Sequence, residues 1–136
     1  MITITLPRVP NVNVLLKKYK RNLPRAFGKA ATEAIKIIGD RTEEGIGLEG
    51  RFKAYSESYR QHRIERGATT TPNLYYSGDM LGSMYYQTKR NYVEIKFRGK
   101  KESKKAYINN KIRPFFGLKR EEEIQVYNVF KRWLTK

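Results

Sequence analysis

The stretch LYYSGDMLGSM, residues 74–84, lies near the middle of the chain and separates a helical or loose first half from a strand pattern that follows it. Ser77 and Asp79 are residue types that cap the starts of helices. Three apolar residues then recur at the spacing of one helical turn: Met80, Leu81 and Met84. We therefore predict one turn of helix that leads directly into a strand. The stretch has no obvious reactive group, so it does not by itself indicate an enzyme.

The residues after this stretch alternate with the period of a strand. Residues 84–97 divide into two strand-like halves around 88–91. In the second half Val93, Ile95 and Phe97 share one face, and Tyr92, Glu94 and Lys96 share the other. This alternation predicts a β-hairpin with one buried face. The same alternation of Ile2, Ile4 and Leu6 predicts a short first strand or extended arm.

Two segments show helical periodicity. Residues 23–45 carry an apolar stripe formed by Leu23, Phe27, Ala30, Ala31, Ala34, Ile35 and Ile38. Its small alanines allow another element to approach closely, and we predict the longest helix here. Residues 120–134 begin with three glutamates and end with basic residues, which suits a helix dipole. A shorter helix is predicted to begin at Asn11.

Together these patterns predict one α+β domain over residues 1–136, with a long helix and a C-terminal helix packed on a small, mainly antiparallel sheet. Residues 1–20 form its N-terminal arm and short helix. Residues 46–72 are polar, basic and rich in threonine, and predict a long basic loop. Its spaced aromatic and apolar residues, Phe52, Tyr55, Tyr59 and Ile64, allow one short helix. A loop of this length favours contacts with other subunits or partners.

The composition is strongly basic. With 29 Lys and Arg against 13 Asp and Glu, the formal charge of +16 favours polyanionic partners. The absence of cysteine excludes disulfides, thiolate metal sites and a cysteine nucleophile. No stretch approaches the ~20 apolar residues of a membrane span, and residues 1–6 do not follow the order of a signal peptide. We therefore expect no membrane partner and a chain that is made and kept in a cytoplasm.

One pattern suggests catalysis. Asp79 followed by Glu94 and Lys96 imitates the acidic pair and lysine with which Mg²⁺-dependent nucleases hold the metal and activate water. In those enzymes the first Asp lies on an adjoining strand, whereas Asp79 lies at a predicted helix start. The lone His62 lies in an arginine-rich loop and supports no catalytic set. We therefore predict a protein that is not an enzyme and has no metal or cofactor, with the nuclease as the alternative.

A basic cluster follows the predicted hairpin as a loop or a helix start. Its five cations are Arg98, Lys100, Lys101, Lys104 and Lys105, and only Glu102 opposes them. The cluster is either a solvated surface or a contact for a polyanion such as nucleic acid. The ten tyrosines interleaved with basic residues favour a protein interface or core over the stacking of bases. A nucleic-acid-binding protein that acts alone remains an alternative.

Four segments occur in order along the chain. They are the helix leading to Gly45, the sequence FKAYSESY at 52–59 followed by a basic run, the motif LxxSGDMLGSM at 74–84, and RPFFGL at 113–118 before a closing amphipathic helix. In this order and spacing they resemble the phage virion-morphogenesis and tail-completion proteins of the head-tail neck. The resemblance covers most of the chain from residue 23 onward.

The resemblance implies a small structural protein that forms a homo-oligomeric ring between the capsid connector and the tail. Such a ring contacts neighbouring neck, connector or tail-tube proteins and surrounds a channel for packaged DNA, which it meets without sequence preference. The expected location is the virion neck, reached through the host cytoplasm during assembly. We expect the protein interface to include Phe52, Tyr55, Tyr59, Arg113, Phe115 and Phe116.

Overall fold

The computed structural model of the protein describes residues 2–6, 17–74 and 78–136, and its architecture is the predicted α+β arrangement. The described elements are, in chain order, β1 (Ile4–Thr5), α1 (Leu23–Glu43), β2 (Ile46–Gly47), β3 (Gly50–Arg51), α2 (Glu57–Glu65), α3 (Asp79–Gly82), β4 (Met84–Thr88), β5 (Val93–Phe97), α4 (Lys100–Ile112) and α5 (Arg120–Leu134). The predicted first strand, long helix, hairpin and C-terminal helix are confirmed. The predicted start of a helix at Asn11 lies outside the described residues, as does Ser77.

The main sheet has the strand order β1-β5-β4, and both of its pairings are antiparallel. β5 is the central strand, with Ile95 opposite Ile4 on one side and Tyr86 on the other. Val93, Ile95 and Phe97 are buried, as their alternation predicted, because they form the face of the sheet that is covered by helix.

The two long helices form an antiparallel pair on that face of the sheet. α1 packs on both β4 and β5, and α5 packs on α1, where the rings of Phe27 and Phe130 lie 5.1 Å apart. The α1 positions that permit this close approach are small and fully or almost fully buried: Ala26, Ala30, Ala31 and Ala34. The side-chain amide of Asn22 then donates hydrogen bonds to the carbonyl oxygens of Leu134 and Lys136, both at 2.9 Å. It thereby joins the start of α1 to the end of α5.

The predicted helical turn before the hairpin is α3, which leads directly into β4. Its N-cap is Gly78, with a φ of 83°, and Asp79 is the first residue of the helix rather than its cap. Glycine suits this position because left-handed backbone strains residues that carry a Cβ. Met80 and Leu81 are buried, which fixes the turn against the core.

Residues 46–72 contain more regular structure than the predicted long loop with one short helix. β2 and β3 form a two-stranded antiparallel sheet, and α2 is the short helix. Ser56 caps α2 by accepting a hydrogen bond from the backbone N–H of Tyr59 at 3.3 Å. The basic segment from residue 100, predicted as a loop or a helix start, begins the 13-residue helix α4.

Two residues of the predicted interface, Phe115 and Phe116, lie in the corner between α4 and α5. Phe115 and Phe116 are buried, and their ring centroids lie 6.1 and 4.7 Å from that of Phe97. The side-chain oxygen of Asn110 accepts hydrogen bonds from both of their backbone N–H groups, each at 3.0 Å. Both side chains therefore lie in the core of their own chain, which leaves little of their surface to contact a partner as predicted.

Candidate functional site

A groove of about 880 Å³ lies between the chain leading into α2 and the second half of α4. Its floor includes Met80 of α3 and Ile112 of α4. Four basic residues line it: Lys53, Arg63, Lys105 and Arg113. The described residues that line the groove include no acidic side chain. The site is therefore aromatic, partly apolar and positively charged.

Tyr55 occupies the centre of one wall of the groove. The guanidinium carbons of Arg63 and Arg113 lie 5.0 and 4.8 Å from the centroid of its ring. The ring of Tyr59 meets it edge-on with a centroid separation of 4.8 Å. Guanidinium groups are attracted to the negative faces of aromatic rings, so these contacts hold Tyr55 in one orientation.

Arg63 anchors α2 to the rest of the molecule. It is the buried residue of that helix, with 1% of its surface exposed, although its side chain is charged. Its Nε donates a hydrogen bond to the carbonyl oxygen of Thr69 at 2.6 Å, and its Nη1 donates one to the hydroxyl of Tyr59 at 3.3 Å. A guanidinium satisfies several partners at once, which explains how a basic residue occupies a core position.

Arg113 closes the other end of the same wall. Its Nε donates to the carbonyl oxygen of Lys53 at 2.9 Å, and its Nη2 donates to that of Ala54 at 3.3 Å. These bonds tie the end of α4 to the extended chain before α2, which are distant in sequence. The groove is thus built before any partner is bound.

Exposed apolar side chains occur in the groove and elsewhere on the two helices beside it. Eight large hydrophobic side chains are exposed among the described residues, and five of them are on α2 and α4. These five are Tyr59, Ile64, Tyr107, Ile108 and Ile112. Tyr59 and Ile112 line the groove itself, and exposed apolar side chains next to aromatic and arginine side chains are typical of a protein interface. Comparison of the chain with protein-family models, curated proteins and solved structures gives no match. The assignment of this site therefore depends on its geometry and on the motifs in the sequence.

The structure brings together three of the six predicted interface residues. Tyr55, Tyr59 and Arg113 meet at the groove, where Tyr59 is 41% exposed. Phe52 is half-buried and packs against the core instead. Sequence reasoning did not identify Met80 and Ile112 as groove residues, and it treated Arg63 only as one of several cations. The only available signal for Ile112 was an isoleucine between basic residues near a helix end.

The predicted nucleic-acid cluster is divided by the fold. Lys100, Lys101 and Lys104 are exposed on the first turns of α4. Lys105 instead lines the groove and lies 3.4 Å from a carboxylate oxygen of Glu102. Arg98 is exposed, with its guanidinium carbon 4.6 Å from the centroid of the Tyr85 ring. Four of the five cations are therefore exposed, and three of these four lie together at the start of α4.

The residues of the alternative nuclease are held by other contacts. The Glu94 carboxylate lies 3.7 Å from the Nζ of Lys89 and 3.5 Å from that of Lys96. Asp79 is on a different element, at the start of α3. In residues 2–6, 17–74 and 78–136, no group of three or more His, Cys, Asp or Glu side chains is placed to hold a metal ion. In the same ranges, no helix is long and apolar enough to span a bilayer.

Proposed function

We propose that the protein is a structural subunit of a phage head-tail neck, in which copies assemble into a ring that joins the capsid connector to the tail. Two observations support this proposal. The ordered motifs of the sequence resemble neck proteins, and three of these motifs contribute directly to the groove. Tyr55 and Tyr59 come from the 52–59 segment, Met80 comes from the 74–84 motif, and Arg113 begins the 113–118 segment.

The observation that carries the proposal is the exposed apolar surface beside a prebuilt groove. Tyr59, Ile108 and Ile112 are each more than 40% exposed on adjacent helices. A monomer that acts alone gains nothing from this exposure, whereas a subunit in an assembly covers it. The groove accepts a side chain or a short segment from the neighbouring subunit or from another neck protein, and its positive charge favours an acidic segment.

The proposal also gives the basic composition a role. A ring around packaged DNA places exposed cations near phosphates, and such contacts do not depend on base sequence. The exposed lysines at the start of α4 are suitable for this contact. An acidic surface on a neighbouring ring would bind the same lysines.

The test places a charge in the groove of the full-length protein and measures the joining of heads and tails in infected cells. Ile112→Glu adds a carboxylate at a side chain that is 57% exposed, so the fold is retained. The matched control is Ile124→Glu on α5, where the side chain is 54% exposed and distant in sequence from the groove. We expect Ile112→Glu to leave unjoined heads and tails in electron micrographs, while the control gives normal particles.

Two outcomes would overturn the proposal. Normal particle yield with Ile112→Glu would show that the groove is not an assembly surface. Absence of the protein from purified wild-type virions, measured by mass spectrometry, would show that it is not a structural component of the particle.

A further inference from the structure

A second basic surface, which shares no residue with the groove, lies where α1 begins and α5 ends. Seven exposed cations form it: Lys17, Lys18, Lys20, Arg21, Arg25, Lys29 and Lys136. We call it the terminal basic surface. Five of the seven line one shallow concavity of about 510 Å³, and Lys136 connects that concavity to the remaining two.

Trp133 lies at the centre of the second part of this surface. Arg25, Lys29 and Lys136 approach its ring at 4.5, 4.6 and 3.9 Å from the centroid. The three cations over this half-buried indole repel one another. Their attraction to the face of the ring offsets only part of that repulsion. Among the described residues, none of the seven forms an ion pair with an acidic side chain.

Most acidic residues of the two helices lie at the opposite end of the helix pair, and Glu33, one turn after Lys29, is the nearest of them in sequence. The sequence has no Asp or Glu in residues 17–32 or 124–136. Because α1 and α5 are antiparallel, their acidic ends meet where Arg41 contacts Glu122, and their basic ends meet at Asn22 and Leu134. The helix pair is therefore basic at one end and acidic at the other.

The charge of α1 is opposite to what its own stability favours. Arg25 and Lys29 lie near its N-terminus, where the helix dipole is positive, and the first turn has no acidic residue. Asp40 and Glu43 lie near its C-terminus, where the dipole is negative. Arg41 in the last turn does follow the dipole, but the helix dipole does not explain Arg25 and Lys29 near the N-terminus. An anionic partner at this end would stabilise these two cations.

The charges of the protein itself indicate the class of partner. A second copy would offer the exposed acids at the far end of the helix pair, which are too few to neutralise seven cations: Asp40, Glu43, Glu44, Glu121 and Glu123. Insertion into a membrane would require exposed apolar side chains, but the two rings among the described residues of this surface, Tyr19 and Trp133, are half-buried and are each approached by a cation. A nucleic-acid backbone is a regular polyanion. It supplies enough negative charge for seven cations and requires no inserted apolar side chain.

We propose that the terminal basic surface binds the phosphate backbone of nucleic acid around Trp133. This goes beyond the proposed function, which requires only the groove and the cations of α4. In the bound state, the negative phosphates attract Arg25, Lys29 and Lys136 and so offset the repulsion among these three cations. The indole then experiences a different electrostatic environment.

The chain supplies its own reporter, because Trp133 is the only tryptophan. The experiment titrates the full-length protein with duplex and single-stranded oligonucleotides and follows tryptophan fluorescence together with the anisotropy of a labelled oligonucleotide. The test variant is Arg25→Glu/Lys29→Glu/Lys136→Glu. The matched control, Arg51→Glu/Arg60→Glu/Arg66→Glu, changes the net charge by the same amount at exposed cations that line neither the groove nor the terminal basic surface. A milder variant, Arg25→Gln/Lys29→Gln/Lys136→Gln, removes the same three charges without adding carboxylates. It keeps the test valid if the Glu variant does not fold.

We expect the test variant to weaken binding by at least about tenfold at low salt, and the control by much less. We also expect the slope of log affinity against log salt on duplex DNA to fall by about 2.7, since each phosphate contact contributes about 0.9. The fluorescence of Trp133 should change on binding, and preference for base sequence should be absent.

Three results would overturn the inference. Equal weakening by the test and control variants would mean that only net charge matters. Unchanged Trp133 fluorescence at saturation would place the contact elsewhere. Binding to phosphatidylserine vesicles but not to oligonucleotides would assign the surface to a membrane. The Ile112→Glu protein should bind nucleic acid normally, so failure of the neck proposal and failure of this inference are distinguishable.

Discussion

Arg41 and Glu122 form a buried ion pair that joins the end of α1 to the start of α5. The Nη2 of Arg41 also donates to the carbonyl oxygens of Phe115 and Gly117, at 2.6 and 3.1 Å. Glu122 in turn accepts a hydrogen bond from the backbone N–H of Lys119 at 2.8 Å, as the acidic member of a capping box does. Burial lowers the pKa of Arg41, and the carboxylate of Glu122 opposes that shift.

The first prediction concerns this pair. Arg41→Met should lower the free energy of unfolding by about 3–5 kcal/mol, because it leaves the Glu122 carboxylate buried without its counter-ion. Denaturant unfolding monitored by circular dichroism measures the change. The control is Lys36→Met on the same helix, where the lysine bonds Asp40 at 2.8 Å with 70% of its side chain exposed. The Lys36→Met change should leave the midpoint of the denaturant unfolding transition nearly unchanged.

A double variant separates the pair from the packing around it. Arg41→Met/Glu122→Leu removes both charges, so it should be more stable than Arg41→Met alone. If the double variant is as unstable as the sum of the two single changes, the ion pair is not the source of the loss.

The second prediction concerns Gly47 in β2. A Cβ at this position would overlap the carbonyl oxygen of Pro114 and the ring of Phe52. Gly47→Ala should therefore destabilise the protein by about 1–3 kcal/mol, because backbone must move to make room. Gly82→Ala is the matched control, since a Cβ there meets nothing within 4 Å. The control should be neutral or stabilising, and equal melting temperatures for the two variants would contradict the packing argument.

The third prediction concerns the anchoring of α2. Arg63→Ala removes the buried side chain of this helix together with its hydrogen bond to Thr69 and its contact with Tyr55. Amide hydrogen exchange in residues 57–69 should become faster, while exchange in α1 remains slow, because α2 opens locally. Arg60→Ala, at a side chain that is 49% exposed, should leave both rates unchanged. Unaltered protection of α2 in the Arg63 variant would show that another contact holds the helix.

The fourth prediction is that the purified protein does not cleave DNA in the presence of Mg²⁺. Glu94 already lies between Lys89 and Lys96, and Asp79 belongs to another element. A gel assay of plasmid cleavage measures this. Mg²⁺-dependent cleavage by the wild type that disappears in both Asp79→Ala and Glu94→Ala would instead establish the nuclease.

Sequence reasoning was most accurate where one residue pattern controls one element. The alternation of Val93, Ile95 and Phe97 identified β5, because a strand with one buried face must repeat every two residues. The alanine stripe of α1 and the charge order of α5 identified both long helices for the same reason at helical spacing.

The prediction was incomplete where the local pattern is weak. α4 has only Ser103 and Ala106 buried, and lysines occupy its first turn, so its sequence gives neither a clear stripe nor a cap. Glu122 was recognised as an acidic residue of a helix start, but its partner Arg41 is 81 residues away in the chain. No local pattern predicts a contact over that separation.

The sequence by itself determined the fold class, the two long helices, the central strand and the strong positive charge, because periodicity and composition are local or additive properties. Tertiary structure alone decided that Tyr55 lies between Arg63 and Arg113, that Phe115 and Phe116 are in the core, and that the basic ends of α1 and α5 meet around Trp133. The physical reason is that each of these features joins residues from separate elements. Their proximity depends on how the helices and the sheet pack, and side-chain packing is set by the whole chain together.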